Sequence, residues 1–340
     1  MSSIKLSICI PTYNFGEFIG ETLSSVIDQS MGRKDVEIVV LDGGSTDNTA
    51  EVVLGFKTRF PSLIYHRLEQ KGGIDNDLSS CVDLATGEYC WLLSSDDVPV
   101  QGAIGRMFSE ITSKDDIYLF NRIECDGLLS PLRTRLWLDP EIIDRSIRFY
   151  ESCDYIDYFG HSKSLGALFS YISSIVVSRS VWCDCPAIKE SIGTNYAHVG
   201  RLFSVLQRGG SLRYIREPLV LCRGYNDSFL QRGLISRLLI DIDGYMLLSS
   251  HLFADYSVRM AFLGVMKQQH KWYVFVEMRS LIQDKSLWQC IAKKLMQVGY
   301  PKWNIFLIEL IGAFRIGVSF ARLIINGYRK VQFFLARLRK

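Results

Sequence analysis

The sequence lacks the features that mark several common classes of protein. Its 39 Lys and Arg residues almost balance its 36 Asp and Glu residues, which gives a net charge of only +3. Proteins that bind nucleic acid usually carry a strongly basic surface, so nucleic acid is not an expected partner. The nine cysteines include one Cys-x-Cys pair, Cys183 and Cys185, with no second pair and no cluster of histidines beside it. We therefore expect reduced cysteines in a cytoplasmic protein rather than a zinc site.

Membrane-crossing segments are also absent from the sequence pattern. No charged and then apolar leader precedes the first predicted strand, so a secretory signal peptide is not expected. Glu309 and Arg315 interrupt the apolar tail of residues 303–340, so no uncharged span there reaches the roughly 20 residues that a transmembrane helix needs. There is no internal repeat and no low-complexity linker. The 340 residues suffice for one full domain and an appended region.

What the sequence does contain is an apolar strand that ends in two carboxylates. Residues 88–93 form the apolar run, and Asp96 and Asp97 follow it closely. In open α/β sheets, ligands bind at the carboxyl ends of the strands. Two carboxylates there suit a hard divalent cation, which prefers oxygen ligands and bridges to phosphates. The alternative is a solvated turn in which one of the two aspartates caps a helix that begins at Val100.

Two earlier strands also end in polar loops. Residues 5–10 alternate apolar and polar side chains and then break at a Pro-Thr-Tyr-Asn motif, residues 11–14. Residues 37–41 are a continuous apolar run, as expected for a strand covered on both faces, and lead into Asp-Gly-Gly-Ser-Thr-Asp, residues 42–47. The two glycines let the backbone approach a ligand closely. The Ser or Thr of this loop can cap the following helix and leave free N–H groups facing the same crevice.

Helical patterns follow each of these strands. Apolar residues recur at helical spacing over residues 15–29, 48–59 and 74–86. Short strands are predicted at residues 63–66 and 116–120. Strands that alternate with helices predict right-handed βαβ units, and hence an α/β fold with a mostly parallel sheet flanked by helices.

Four motifs follow one another within the first hundred residues. They are Pro-Thr-Tyr-Asn at 11–14, Val-Leu-Asp-Gly-Gly-Ser-Thr-Asp-Asn-Thr at 40–49, Ala-Thr-Gly-Glu at 85–88 and Ser-Asp-Asp at 95–97. In this order and spacing they resemble the family 2 glycosyltransferases, which have the GT-A (Rossmann-like) fold. Lys-Gly-Gly-Ile-Asp at 71–75 and Gly-Thr-x-Tyr-x-His at 193–198 resemble one branch, the abequosyltransferases and related 3,6-dideoxyhexosyltransferases of bacterial O-antigen and lipopolysaccharide synthesis.

The resemblance implies a nucleotide-sugar site. Pro11, Thr12 and Tyr13 match the first loop that contacts the nucleotide, although an aromatic residue in a turn often only packs. Asp42 matches the carboxylate that contacts the base. A carboxylate only accepts hydrogen bonds, so Asp42 could take the N3–H of uracil or the amino group of cytosine, and it does not choose between UDP and CDP. Lys71 completes this part of the expected nucleotide-sugar site.

Metal dependence is also implied by the resemblance. Asp97 matches the metal-binding Asp next to the diphosphate, with Asp96 beside it, and the expected cation is Mg²⁺ or Mn²⁺. Such a cation neutralises charge that builds on the departing nucleoside diphosphate.

The chain departs from the family pattern at three places. Ser94 stands where many relatives carry an Asp two residues before the Asp-Asp pair. The helix after Gly73 carries Asp75 and Asp77 in place of an Arg-Asn or Tyr-Asp pair. These carboxylates could hold ribose or sugar hydroxyls, which makes Asp75 a candidate donor-binding residue, or they could be first-turn acids favoured by the helix dipole. The third departure is a histidine at the position of the catalytic base.

His198 is the candidate base. Family members that invert the anomeric carbon use an Asp, and counting back from Gly209 at the family's usual spacing places His198 at that position. An imidazole can act as a base near neutral pH, so His198 is expected to deprotonate or bind the acceptor hydroxyl. The alternative is a helix-surface or core histidine. Without a carboxylate base, inversion cannot be assumed.

The resemblance also sets the expected domain organisation. A GT-A domain is predicted over residues 1–230, with a nucleotide half at about 1–120 and an acceptor half at about 121–230. The acceptor half should contain a β-rich segment at 165–177 and a closing strand at 212–223.

A helical C-terminal region is predicted over residues 231–340, with helices at 234–251 and 258–277. Its tail alternates apolar clusters with basic residues and starts near Trp303. That pattern fits a helix lying in the interface of an anionic membrane, or else a helix packed on protein.

Taken as a whole, the sequence predicts a glycosyltransferase peripherally bound to the cytoplasmic face of the bacterial inner membrane. It would move one sugar, by resemblance a 3,6-dideoxyhexose such as abequose from its CDP form, to a lipid-linked oligosaccharide. One alternative is a UDP- or GDP-hexose transferase of capsule or exopolysaccharide synthesis. Another is a non-catalytic membrane scaffold with the same fold. A sugar nucleotidyltransferase would need a Gly-rich, basic loop after the first strand, and residues 11–14 are not one.

Overall fold

The structure is a computed structural model that describes residues 3–224, 226 and 233–313. Its centre is a ten-stranded mixed sheet. The strands in the described residues are β1 Leu6–Thr12, β2 Val36–Asp42, β3 Leu63–Arg67, β4 Tyr89–Leu92, β5 Val98–Pro99, β6 Ile117–Cys125, β7 Pro131–Arg135, β8 Arg145–Arg148, β9 Ile175–Ser178 and β10 Ser211–Cys222. Their order is β3-β2-β1-β4-β9-β6-β10-β5, with β7 paired to β6 and β8 to β10.

Two parallel groups of strands make up most of this sheet. Strand β1 is parallel to β2 and β4, and β2 is parallel to β3. Strands β6 and β10 form the second parallel pair. Strand β9 lies between the groups and is antiparallel to both β4 and β6, so the two groups run in the same direction. The predicted α/β fold with a mostly parallel sheet is confirmed.

Helices flank the sheet and form the C-terminal region. In the described residues they are α1 Ile19–Ser30, α2 Thr49–Phe56, α3 Ile74–Leu84, α4 Ala103–Glu110, α5 Ser152–His161, α6 Arg179–Asp184, α7 Ala197–Gln207, α8 Leu234–Leu252, α9 Tyr256–Gln269, α10 Val274–Leu281, α11 Lys285–Gln297 and α12 Lys302–Ala313. The three helices predicted in the first hundred residues are present as α1, α2 and α3. The single helix predicted over 258–277 was wrong, because the chain becomes extended at His270, whose side chain bonds to Asp241 of α8.

The helix at Val100, which was the alternative to a cation site, is absent. Val98 and Pro99 instead form β5, which pairs with β10, and α4 begins only after Gly102, whose φ of 85° favours glycine. Asp96 and Asp97 therefore precede a strand and cap no helix. The segment at 165–177 is also less regular than predicted, since only β9 is a strand there and short 3-10 turns precede it.

The start of α2 also differs from the prediction. Neither Ser45 nor Thr46 caps this helix. Its first amide, from Thr49, donates to the side chain of Asp47 at 3.0 Å. Ser45 and Thr46 are used instead in contacts with the loop after β1.

The Ala-Thr-Gly-Glu motif has a structural role that the sequence did not reveal. Buried Glu37 of β2 accepts hydrogen bonds from the hydroxyl of Ser7 at 2.6 Å and from the amide of Thr86 at 2.6 Å. Any Cβ at Gly87 would lie 2.5 Å from the Ser7 hydroxyl oxygen, so this close approach requires glycine. The motif thus fastens the loop before β4 to β1 and β2.

The C-terminal helices share a core with the sheet region. Phe262 of α9 lies 5.4 Å from both Phe159 of α5 and Phe203 of α7, measured between ring centres. One cluster of buried side chains extends from Cys9 of β1 to Ile308 of α12. The division between residues 230 and 231 therefore does not separate two hydrophobic cores, and as a domain boundary it stays a prediction. None of the helices in residues 233–313, or elsewhere in the described chain, is long and apolar enough to cross a membrane.

A buried polar cluster also joins the two regions. Asp241 of α8 is 1% exposed. It accepts hydrogen bonds from Tyr196, just before α7, from Arg237 and from His270, the last at 2.7 Å. Burial alone would raise the pKa of Asp241, but the His270 hydrogen bond and the Arg237 charge bring it below its usual value.

Replacing Asp241 by Asn should destabilise the fold by about 3 kcal/mol, because it removes the buried charge that the His270 hydrogen bond and the Arg237 charge stabilise. The pKa is lowered on folding, so this stabilisation is present above the unfolded value of about 3.9 and is lost as the pH falls below it. Urea unfolding at pH 7 measures the effect. The matched control is Asp243→Asn, two residues along α8, where the ion pair with Lys294 is half-exposed. Equal losses in the two variants would contradict the prediction.

Candidate active site

The carboxyl ends of β1, β2 and β4 lie side by side at one edge of the sheet. Thr12 at the end of β1 is in register with Asp42 at the end of β2. On the other side of β1, β4 leads into Asp96 and Asp97. The three loops predicted from sequence therefore meet at one crevice, where an open α/β sheet binds ligands.

Asp42 is fully buried in this crevice. One carboxylate oxygen accepts the backbone N–H of Ser45 at 2.7 Å, and the other accepts the hydroxyl of Tyr65 at 2.6 Å. Burial and the neighbouring Asp42 raise the pKa of Tyr65, so its hydroxyl keeps its proton. Asp42 shapes the loop after β2, and its contact with a base stays a prediction. Tyr65 is a part of this site that the sequence did not flag, because it lies on a different strand.

The loops after β1 and β2 are joined by hydrogen bonds. The amide of Asn14 donates to the Ser45 hydroxyl at 2.8 Å, and the amide of Thr46 donates to the Asn14 side chain at 2.7 Å. Asn14 adopts a φ of 56°, a conformation that Asn tolerates better than most residues. The two predicted nucleotide-contacting motifs therefore form one surface.

Tyr13 and Lys71 lie together at the edge of that surface. Pro11 and Thr12 are buried within β1, whereas Tyr13 is half-buried and follows it. The Lys71 ammonium lies 3.7 Å from the centre of the Tyr13 ring, which is a cation–π contact. The structure thus brings together two residues of the predicted nucleotide-sugar set that come from different loops.

Asp77 is a further carboxylate at this place. It is 5% exposed, and burial raises its pKa. A Cβ at Gly43 would lie 3.0 Å from one of its oxygens, so the side chain lies against the glycine loop after β2. Its Oδ1 atom has no hydrogen-bond partner in the described part of the chain. From the sequence, Asp75 and Asp77 were equivalent carboxylates in the first turn of a helix. The structure shows that Asp77 is the one that lies against the loop of Asp42 and Gly43.

Asp75 has a different setting. Its two oxygens accept the backbone amides of Gly193, Asn195 and Ala197 at 2.8, 2.9 and 3.0 Å. The carboxylate therefore bridges the start of α3 to the start of α7, and a direct contact between Asp75 and the donor stays a prediction.

The acidic pair after β4 divides into a buried and a half-buried carboxylate. Asp97 is 2% exposed. It accepts hydrogen bonds from Tyr171 at 2.7 Å, from Ser173 at 2.5 Å and from the amide of Arg223 at 3.2 Å. Burial, together with the charge of Asp96, raises the pKa of Asp97 to about 7. Asp96 is half-buried and accepts from Ser94 and Asn226. Asp97 is therefore enclosed by three donors, and Asp96 is the more accessible carboxylate of the pair. The expected binding of a metal by Asp97 and Asp96 stays a prediction.

Arg223 holds the acidic turn in place. It is 6% exposed at the end of β10. Its guanidinium donates to the backbone oxygen of Asp96 at 3.1 Å and to that of Gly127 at 2.7 Å, and it pairs with Glu21 at 2.6 Å. Arg223 therefore connects β10 to α1 and to both aspartates, to Asp96 through its guanidinium and to Asp97 through its backbone amide.

His198 lies in the first turn of α7 and is 5% exposed. Its Nε2 atom is 2.9 Å from the backbone oxygen of Phe169, which only accepts, so Nε2 carries the proton. The other ring nitrogen, Nδ1, is buried and has no partner among the described residues. Burial lowers the pKa of His198, and Asp75 opposes that shift. The imidazole is thus neutral at pH 7 and Nδ1 keeps its lone pair, and its role as the base stays a prediction.

The residues at the end of β4 fit a cation that binds together with the phosphates of the nucleotide sugar. In the described chain, no three His, Cys, Asp or Glu side chains are grouped closely enough to hold a metal by themselves. Mg²⁺ is usually bound by one or two carboxylates together with substrate phosphates and water. Asp96, at the carboxyl end of β4, suits that mode of binding.

Comparison with known proteins agrees with this architecture. Residues 7–164 match the model of Glycosyl transferase family 2. The chain is 36% identical over 273 residues to abequosyltransferase RfbV of Salmonella typhimurium (strain LT2), covering 78% of this chain and 81% of that protein. It is 29% identical over 126 residues to glycosyltransferase GlyG of Streptococcus pneumoniae serotype 4, covering 36% and 41% of the two chains.

Solved structures show the same fold. S. aureus TarS 1-349 in complex with UDP-GlcNAc superposes with a TM-score of 0.64 at 15% identity, covering 87% of this chain and 80% of that one. Mannosyltransferase PcManGT from Pyrobaculum calidifontis, in complex with GDP-Man and Mn²⁺, has a TM-score of 0.51 at 14% identity, covering 95% and 88%.

The sheet and the acidic pair at its carboxyl edge define an enzyme of the GT-A class, a glycosyltransferase. The chain belongs to glycosyltransferase family 2 and, within it, resembles the abequosyltransferases. The family resemblance inferred from the motifs is confirmed, and a non-catalytic scaffold is not supported.

Proposed function

We propose that this glycosyltransferase moves a 3,6-dideoxyhexose, with abequose from CDP-abequose as the first candidate, onto a lipid-linked oligosaccharide of O-antigen synthesis. The observation that carries the proposal is the 36% identity to an abequosyltransferase over 78% of the chain. That similarity extends well beyond the 7–164 segment that any family 2 enzyme would share. TarS and PcManGT, the solved enzymes of the same fold, are bound to nucleotide sugars, which supports a donor of that class.

Some residues of the site would bind the donor, and His198 would act on the acceptor. Tyr13, Lys71 and Asp42 would form the nucleotide surface, and Asp96 would hold the cation. When bound, that cation neutralises charge on the departing nucleoside diphosphate. His198 would accept the proton of the acceptor hydroxyl at Nδ1.

Transfer assays with a panel of nucleotide sugars test the proposal. Membrane extract from an O-antigen-producing strain supplies the acceptor, and the panel includes CDP-abequose, UDP-GlcNAc, UDP-glucose and GDP-mannose. Product formation from CDP-abequose alone is the expected result. Transfer only from a UDP- or GDP-hexose would replace the proposal with the alternative, a hexosyltransferase of capsule or exopolysaccharide synthesis.

Association with the membrane surface is part of the proposal. Helix α12 carries three large apolar side chains on one exposed stripe: Trp303, Phe306 and Leu310 are 58%, 64% and 46% exposed. Its other side is fixed to α10, because Glu309 pairs with Arg279 at 2.8 Å. Residues 314–340, which contain most of the predicted basic tail, lie outside the described residues. Their seven Lys and Arg residues occur without any Asp or Glu, so the segment suits an anionic lipid surface.

Replacing Trp303, Phe306 and Leu310 together by Ser should release the protein from phosphatidylglycerol vesicles in a flotation assay. These side chains are exposed, so the fold should persist. Deleting residues 314–340 should weaken binding in a salt-dependent way, because each basic residue near the surface contributes about 1 kcal/mol. Leu128→Ser, at an 88% exposed position between β6 and β7, is the control. If flotation survives both changes, α12 and the tail contact protein instead.

A further inference from the structure

The antiparallel ribbon of β6 and β7 carries an unbalanced set of charges on one face. Its register places Arg122 opposite Arg135, and Glu124 opposite Arg133. Side chains alternate between faces along a strand, and directly opposite residues share a face. These four side chains therefore lie on the same face, where three guanidinium groups accompany a single carboxylate.

Two of the three arginines already use that carboxylate. Glu124 accepts from Arg122 at 3.0 Å and is also paired with Arg133. Arg135 has no carboxylate partner in the described residues, and its polar contact is the side-chain oxygen of Gln269 at 3.5 Å. Burial lowers the pKa of Arg135; Glu124 opposes that shift, whereas the charges of Arg133 and Arg122 add to it.

Like charges that face each other across a ribbon repel. The Arg122–Arg135 pair is such an arrangement, and the buried Nε of Arg122 has no hydrogen-bond partner within the described chain. An anion placed between the two guanidinium groups would relieve the repulsion and supply the missing acceptors. Guanidinium groups bind phosphate oxygens through two parallel N–H donors, which gives this pair a natural ligand class.

The ribbon lies next to the acidic turn of Asp96 and Asp97, away from the loops after β1 and β2. The guanidinium carbon of Arg122 is 4.3 Å from the centre of the Tyr171 ring, and the Tyr171 hydroxyl donates to Asp97. In the sheet, β9 and β4 separate β6 from β1 and β2, whose loops form the nucleotide surface. Gln269, which contacts Arg135, ends α9 in the helical region that also carries the exposed stripe of α12.

On this geometry, and resting on the proposed function, we infer that Arg122 and Arg135 bind the phosphate or diphosphate group that links the acceptor glycan to its lipid. The site would distinguish a lipid-linked acceptor from the same glycan free in solution. A phosphate of the nucleotide donor is the other source of such an anion, and the experiment separates the two.

The variant Arg135→Gln tests the inference with two forms of one acceptor. One form is the lipid-linked glycan from the membrane extract, and the other is the same glycan released from its lipid phosphate by mild acid. We expect Arg135→Gln to raise KM for the lipid-linked form by about 10–100-fold, the effect of losing one charge-assisted hydrogen bond. KM for the released glycan, KM for the nucleotide sugar and kcat at saturating acceptor should stay unchanged.

Two further variants make the result specific. Arg135→Lys, which keeps the charge and loses the planar fork, should recover part of the affinity for the lipid-linked acceptor. Arg145→Gln, at an exposed position on β8, should behave as wild type. The inference is overturned if Arg135→Gln affects both acceptor forms equally, or if it weakens the nucleotide sugar instead. If wild type transfers no sugar from any donor, the proposed function is refuted. If wild type is active and Arg135→Gln has the same KM for the lipid-linked acceptor, only the phosphate site is refuted.

Discussion

Replacing Asp96 by Asn should reduce sugar transfer by about 10³-fold or more. Asp96 is the half-buried carboxylate at the carboxyl end of β4, and it is the residue that fits a cation held together with the donor diphosphate. A bound cation stabilises developing charge by several kcal/mol, and each 1.36 kcal/mol corresponds to a factor of ten in rate. The measurement is kcat at saturating nucleotide sugar, with Mn²⁺ or Mg²⁺ and then with excess EDTA.

Binding measurements separate loss of the cation from loss of the fold. Asp96→Asn should keep its thermal stability without ligands and lose the additional stabilisation that wild type gains from a nucleoside diphosphate with Mn²⁺. Asp157→Asn, at an exposed position on α5, serves as the control and should be fully active. Asp97→Asn should also be inactive, but through disorder of the turn, because Asp97 is held by Tyr171, Ser173 and Arg223. Undiminished activity of Asp96→Asn, or of wild type in EDTA, would refute the metal role.

His198→Ala should lower kcat by about 10²–10⁴-fold, which is the range for loss of general acid–base catalysis. Donor binding should persist, since His198 lies at the start of α7 and not on the nucleotide loops. Burial lowers the pKa of His198, so wild type should remain active below pH 6.5 and lose activity only when the buried imidazole becomes protonated. That acidic limb of the kcat/KM profile should disappear in the variant.

The matched control is His161→Ala, whose imidazole is 45% exposed on α5 and pairs with Asp139. It should have normal turnover. Near-normal turnover of His198→Ala at saturating acceptor would show that the histidine is structural and serves to bind the Phe169 carbonyl. NMR of the anomeric proton of the product would decide between inversion and retention independently of the mutants.

The nucleotide half was predictable because its signals are local. A buried parallel strand is a continuous apolar run, and the polar residues at its carboxyl end come directly after that run in the sequence. Asp42 at the end of β2 is an example. Parallel strands place those ends at one edge of the sheet, so the meeting of Thr12, Asp42 and Asp96 followed from the pattern alone. The second half was predicted less well, since β9 is only four residues long and the segment before it folds into 3-10 turns.

Individual roles at the site required the tertiary structure. Sequence treated Asp96 and Asp97 as one pair, yet Tyr171, Ser173 and Arg223 arrive from distant parts of the chain to enclose only Asp97. Asp75 and Asp77 are neighbours on α3, but the helix turns one toward the amides before α7 and the other toward Gly43. Such differences depend on which side chains surround a carboxylate, and no local pattern encodes that.

By itself, the sequence determined the class of protein: an α/β sheet with acidic loops at one edge, arranged in the order that family 2 glycosyltransferases use. Periodicity and turn chemistry depend on residues that are close together in the chain, so both can be recognised in the sequence. Only the tertiary structure decided that the C-terminal helices share the core of the sheet region, that His198 keeps a free ring nitrogen, and that Arg135 faces Arg122 without a carboxylate partner among the described residues. Burial, hydrogen-bond partners and uncompensated charge are properties of contacts between segments far apart in sequence, and they exist only once the chain has folded.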